Sequence, residues 1–135
     1  LELAPDFANG WYFLGLTLLL KGQPQLALEA MHREPSELWR LSGLPLAYYA
    51  LGQKQQSEAA LREAKAKYAE TIPYQIALVH AYRGEIDEAF EWLDRAYDAR
   101  DTGLAWYLKT DPLLAHIRGD ARYTALLGKM NLPQD

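Results

Sequence analysis

The sequence predicts an all-α fold built from antiparallel helix pairs. Three observations predict it. Apolar residues recur at helical spacing in successive segments. Glycines at 22, 52 and 84 interrupt those segments at intervals of 30 and 32 residues. Small and large residues then stand at matching offsets around each glycine: Gly15, Pro45 and Ala77 seven before, Leu18, Tyr48 and His80 four before, Ala27, Ser57 and Ala89 five after. Close helix pairing needs small residues at the contact, larger ones between, and a glycine where the chain reverses.

Taken in order, residues 1–7 read as the end of a preceding repeat. Leu1-Glu2-Leu3-Ala4-Pro5-Asp6 is the last turn of a helix with a proline stop, so the chain is expected to start inside a larger protein. The first pair spans 8–35. Its first helix runs from Ala8 to Lys21 with Trp11, Leu14 and Leu18 on one face; Gly22-Gln23-Pro24 turns, and Leu26 to Glu34 follows with Ala27, Leu28 and Met31 inward. In the second pair, 36–69, Ser36 caps a helix reaching Leu51. Pro45 lies inside it; a proline removes one backbone hydrogen bond and costs ~3 kcal/mol in a helix interior, which predicts a kink or break near Ser42-Gly43. Gln55 to Tyr68 is the partner, burying Ala60, Leu61 and Ala64.

Thr71-Ile72-Pro73 is a start signal for the third pair, 70–100, with Thr71 as capping hydroxyl. Helices follow at Tyr74 to Tyr82 and Ile86 to Ala99, the second burying Ala89, Leu93 and Ala96. Residues 101–135 form closing helices: one from Leu104, one opened by Asp111-Pro112, and one from Asp120 to Lys129, stopped at Asn131-Leu132-Pro133. The whole of 1–135 is expected to be one domain.

Composition excludes several functions. Net charge is -4 with both signs interspersed, whereas a phosphate-tracking surface needs clustered Lys and Arg, so nucleic acid is not expected as a partner. The absence of cysteine removes thiolate catalysis and Cys-ligated zinc but does not fix a compartment; the cytoplasm is the expected one. The most apolar run, Trp11 to Leu20, is about half of the ~20 residues a membrane span needs, so no membrane is expected.

Trp11-Leu14-Gly15, Ala27 and Pro5 in the first unit, and Gly84, Ala89, Leu93 and Ala96 in the third, resemble the tetratricopeptide repeat family over roughly residues 1–100. The middle unit departs from the pattern at Pro45 and Ser57, and the glycine spacing is shorter than the family's 34 residues. The resemblance implies helix pairs in a right-handed superhelical stack whose first helices line a concave face. The tail, Asp111-Pro112 through Ile117-Arg118-Gly119-Asp120 to Met130-Asn131-Leu132, is similar to a closing element in bacterial regulators that join such repeats to winged-helix or nucleotide-cyclase domains. Ala121 and Tyr123 stand where proline and phenylalanine are usual there.

On that resemblance the concave face would carry Tyr12, Leu16, Leu19, Trp39, Leu46, Tyr49, Tyr74 and Leu78, an apolar and aromatic surface for a protein partner, whether peptide or helix. Two alternatives stay open: the closing helices fill this groove, or some of these residues are core. The Lys, Arg and Asn clamp with which some family members hold a C-terminal carboxylate is missing apart from Asn9. Self-association through Trp11, Leu14 and Leu18, giving a homodimer, is a second reading. Small-ligand sensing by Tyr12, Tyr49, Tyr74 and Gln75 is a third. No cofactor, metal site or enzyme activity is expected. His32, His80 and His116 lack metal-ligand spacing, with His80 reading as a core residue. Glu85, Asp87, Glu88, Glu91, Asp94 and Asp98 read as a solvated helix face.

Overall fold

The computed structural model describes residues 9–131, so Leu1 to Ala8 and Leu132 to Asp135, with the expectations placed on them, lie outside the described residues. Every regular element among the described residues is helical. The chain divides into two compact units, Leu1–Tyr68 and Ala69–Asp135.

Unit one holds α1 (Gly10–Leu20), α2 (Pro24–His32), α3 (Glu37–Ala50) and α4 (Lys54–Tyr68). Helix α1 packs on α2 and α3, α2 also packs on α3, and α4 covers α3. Unit two holds α5 (Pro73–Tyr82), α6 (Ile86–Asp98), α7 (Thr102–Tyr107), a 3₁₀ helix (Pro112–Ile117) and α8 (Ala121–Lys129). There α5 packs on α6, α7 and the 3₁₀ helix, while α6 meets α7 and α8.

The three turns are copies of one conformation. Gly22, Gly52 and Gly84 have φ of 75°, 79° and 77°, a region a side chain strongly disfavours. In each, the residue after the glycine donates its N–H to a carbonyl five positions back: Gln23 to Leu18 at 2.9 Å, Gln53 to Tyr48 at 2.9 Å, Glu85 to His80 at 2.8 Å. That bond satisfies a helix-end carbonyl and aims the chain back along the helix it has left. The same three residues then accept the first bond of the next helix, from Ala27, Ser57 and Ala89. These last are all fully buried, as the repeated offsets predict.

Two local expectations are corrected. Of the kink or break expected near Ser42-Gly43, the break is absent: helix α3 runs unbroken through Pro45. Seven consecutive residues, Leu41 to Ala47, are buried there, and their packing outweighs one missing hydrogen bond. The Ser42 hydroxyl donates to the Leu38 carbonyl at 2.8 Å, and the buried Ser57 hydroxyl donates to the Pro45 carbonyl at 2.8 Å. The two departures of the middle unit, Pro45 and Ser57, therefore bond to each other.

The second correction concerns Thr71, which does not cap α5. The N-cap is Ile72, with no side-chain bond. The backbone N–H of Tyr74 is served instead by the Asp101 carboxylate, 27 residues on, at 3.2 Å. Ser36 does cap α3, accepting from the Trp39 N–H.

Asp120 caps α8 and is held by Arg122. Its carboxylate accepts from the Arg122 guanidinium at 2.9 Å and 3.1 Å and from the Arg122 backbone N–H at 2.9 Å. The side-chain bonds from Arg122 first, then the backbone bond, pull its pKa from 3.8 down to about 2. A carboxyl depressed by folding adds stability that is complete above its unfolded pKa and disappears as pH falls through the folded one. Acid should therefore loosen α8 between about pH 4 and pH 2. Amide exchange of α8 should accelerate over that window, and an Asp120→Asn chain should lack this component.

Candidate partner-binding surface

Each helix pair is fastened where the end of its second helix returns to the start of its first. In the α1–α2 pair the fastener is Glu34, 1% exposed. Its carboxylate accepts the Tyr12 N–H in the first turn of α1 at 3.2 Å and the Ser36 N–H before α3 at 3.1 Å. A carboxylate suits this place because the N–H groups of a first turn have no intrahelical acceptor and carry partial positive charge. In the α3–α4 pair, Tyr68 and Lys67 at the end of α4 bond to Glu37 at the start of α3, at 2.7 Å and 3.0 Å. The Tyr68 hydroxyl, followed by Lys67, lowers the pKa of the Glu37 carboxyl. In the α5–α6 pair, Asp101 serves Tyr74 and also caps α7 through Gly103 at 2.7 Å.

These fasteners fix which aromatic side chains are core. Of the eight side chains expected on the concave face, Tyr12, Leu19, Leu46, Tyr74 and Leu78 are buried, and Leu16, Trp39 and Tyr49 are half-buried. The first five thus follow the core alternative: as the chain stands they present no side-chain surface to a partner. Tyr74 lies against Tyr107, centroids 6.4 Å apart, and donates its hydroxyl to Asp111 at 2.7 Å. That hydroxyl is spent internally, which weakens the small-ligand reading.

What unit one does offer is an aromatic cluster with an apolar edge. Tyr12 packs against Phe13 and Trp39, centroids 5.1 Å and 5.0 Å away, and Phe13 stands 6.1 Å from Trp39. Phe13 is 40% exposed and Leu20, two turns along α1, is 57% exposed. With Leu16 between them they form one stripe at i, i+3 and i+7. Sequence reasoning missed Phe13 and Leu20 because α1 is apolar on every side, so its periodicity selects no face. Trp11, Leu14 and Leu18 are half-buried rather than core, and the Arg33 guanidinium lies 5.3 Å over the Trp11 ring.

Unit two exposes Trp106, at 77%, and Tyr107, at 44%. Neither was singled out by the sequence, since α7 is too short for periodicity to act on. Of the acidic run, Asp87, Glu88, Glu91, Asp94 and Asp98 are exposed, and Glu91 pairs with Arg95 at 3.8 Å. Asp87 reaches Arg122 at 2.9 Å. Glu85 is the exception: it bridges buried His80, at 2.7 Å, and Arg83, at 3.1 Å. His32 and His116 are exposed. Among the described residues no helix is long and apolar enough to cross a membrane, and no group of three or more His, Asp or Glu is placed to hold a metal ion. No family model, curated protein or solved structure matches the chain.

Proposed function

We propose that this chain is a tetratricopeptide-like helical repeat whose work is to bind another protein. The observation that carries the reading is the solvent-accessible stripe of Phe13, Leu16 and Leu20 beside Trp39, carried by the two helix pairs of the first unit. Apolar side chains left on the surface of a rigid helix suit a partner's helix or extended peptide, which would bury them in its own apolar face. The superhelical stacking, the bacterial regulatory setting and the cytoplasmic placement remain part of this proposal, resting on the resemblance described above. No catalytic role is proposed.

The test compares capture from a cell lysate by the natural chain and by a Phe13→Ser/Leu20→Ser variant. Both positions are exposed, so circular dichroism should show unchanged helicity. A protein retained by the first and lost by the second, then shown to bind the purified chain, is the expected result. Retention by both would move the site away from α1.

Self-association is the second reading, favoured by the half-buried state of Trp11, Leu14 and Leu18. Sedimentation of the natural chain and of a Trp11→Ser/Leu18→Ser variant decides it. A dimer that dissociates in that variant would replace the external partner with a second copy.

A further inference from the structure

The three helix-pair turns share one backbone but differ at the two residues that its characteristic bond joins. They are Leu18 and Gln23 in the first turn, Tyr48 and Gln53 in the second, His80 and Glu85 in the third. In turns of this kind the two side chains commonly meet in an apolar contact. In the third turn that contact is an ionisable pair, and it is built with care. His80 is 4% exposed, its Nδ1 lies 2.7 Å from Glu85 Oε1, and the other carboxylate oxygen, Oε2, accepts from Arg83 Nη2 at 3.1 Å. We propose that the third turn is a pH-responsive clasp, in which protonation of His80 tightens the α5–α6 pair.

Position gives the sign. His80 sits in the last turn of α5, where the carbonyl end of the helix favours positive charge, and Glu85 is the N-cap of α6, where negative charge is favoured. The charged pair therefore gains from both helix ends and from direct contact. Burial and the positive charge of Arg83 oppose it, but Arg83 is engaged with the same carboxylate. Of the other titratable groups on elements packed against α5, the half-buried Tyr97 of α6 donates its hydroxyl to the Lys129 carbonyl. On α6, Asp87 is held by Arg122 of α8 and Glu88 is exposed; beyond it, Glu91, Asp94, Arg95 and Asp98 are exposed. Tyr107 on α7 and His116 on the 3₁₀ helix are exposed, and Asp111 is bonded to Tyr74. A histidine is suited to such a device because its charge changes within about pH 5 to 8. A cation favoured by the fold adds stability that is complete at low pH and is lost as pH rises through its titration in the folded protein.

The clasp does not depend on what the chain binds. Its test is thermal unfolding of the full chain at about pH 8 and about pH 5, for the natural protein, His80→Leu and Glu85→Gln. Each substitution installs the residue that another turn already carries. The natural chain should gain about 3 °C more than either variant on acidification, with His32 and His116 contributing equally to all three. An imidazole NMR titration of the unaltered chain reads the same quantity without a variant: His80 should titrate at higher pH folded than unfolded. Equal shifts in all three proteins, or a His80 midpoint lower in the folded chain, would overturn the clasp.

Discussion

Tyr74→Ala is expected to destabilise the second unit by roughly 3–5 kcal/mol, the usual cost of truncating a fully buried aromatic side chain. The ring is 1% exposed. A Cβ built on Gly103 would lie 3.0 Å from its Cδ2, so helix α7 approaches the ring closely because residue 103 has no side chain. Its hydroxyl holds Asp111, whose second oxygen caps the 3₁₀ helix through the Leu113 N–H at 3.0 Å. One side chain thus ties α5 to α7 and to the start of the 3₁₀ helix. Tyr74→Phe isolates the polar part and should cost about 1.5–3 kcal/mol, the worth of a hydrogen bond to a charged group. Urea unfolding of both variants gives the two numbers as midpoint shifts at unchanged slope. An alanine variant no less stable than the phenylalanine one would mean that the ring is not holding these elements.

Met31→Ala should cost roughly 2–5 kcal/mol in the first unit. Met31 is fully buried between two glycines on different helices. A methyl placed on Gly15 of α1 would stand 2.5 Å from Met31 Cε, and one on Gly43 of α3 would press still closer on Sδ. In an isolated helix Gly→Ala gains about 1 kcal/mol. Here that gain is offset, because the thioether is hemmed in from both sides and overpacking costs about 1–3 kcal/mol. The stronger expectation is the coupling. Gly43→Ala should be destabilising in the natural chain and stabilising when Met31 is already alanine, since the new methyl then enters vacated space. A double-mutant cycle measures this directly, and simple additivity would show that the three residues do not share one packed volume.

Much of the architecture was legible in local sequence signals. The glycines at 22, 52 and 84 mark the turns because only a residue without Cβ accepts their φ cheaply. Met31, Ala60, Leu61, Ala64, Ala89, Leu93 and Ala96 lie inward as their spacing predicts. Ser36, Asp111 and Asp120 cap the helices they precede. All of these depend on residues within about two turns of one another, so the chain's own periodicity contains the answer.

The binding surface was less legible. Helix α1 is uniformly apolar and carries no charged residue, so nothing in its pattern distinguishes Tyr12, buried under Trp39 and Phe13, from Phe13, which faces solvent. A family-derived face offered Tyr12, Leu19 and Tyr74 with core as the open alternative, and all three are buried. The fasteners were also invisible in advance. Glu34 reads as an ordinary helix-end acid until α1 brings the Tyr12 N–H to it from 22 positions away.

What the sequence alone determined is the set of helices, their pairing and the turn that repeats between them, because these follow from short-range sterics and helical period. Only the tertiary structure decided the rest: that α3 stays whole through Pro45, that Asp101 rather than Thr71 serves α5, and which apolar side chains remain outside. Each of those outcomes rests on a contact between residues far apart in the chain, such as Ser57 with Pro45 or Asp101 with Tyr74. A local pattern carries no record of such a contact, because its energy exists only once the distant partner is packed in place.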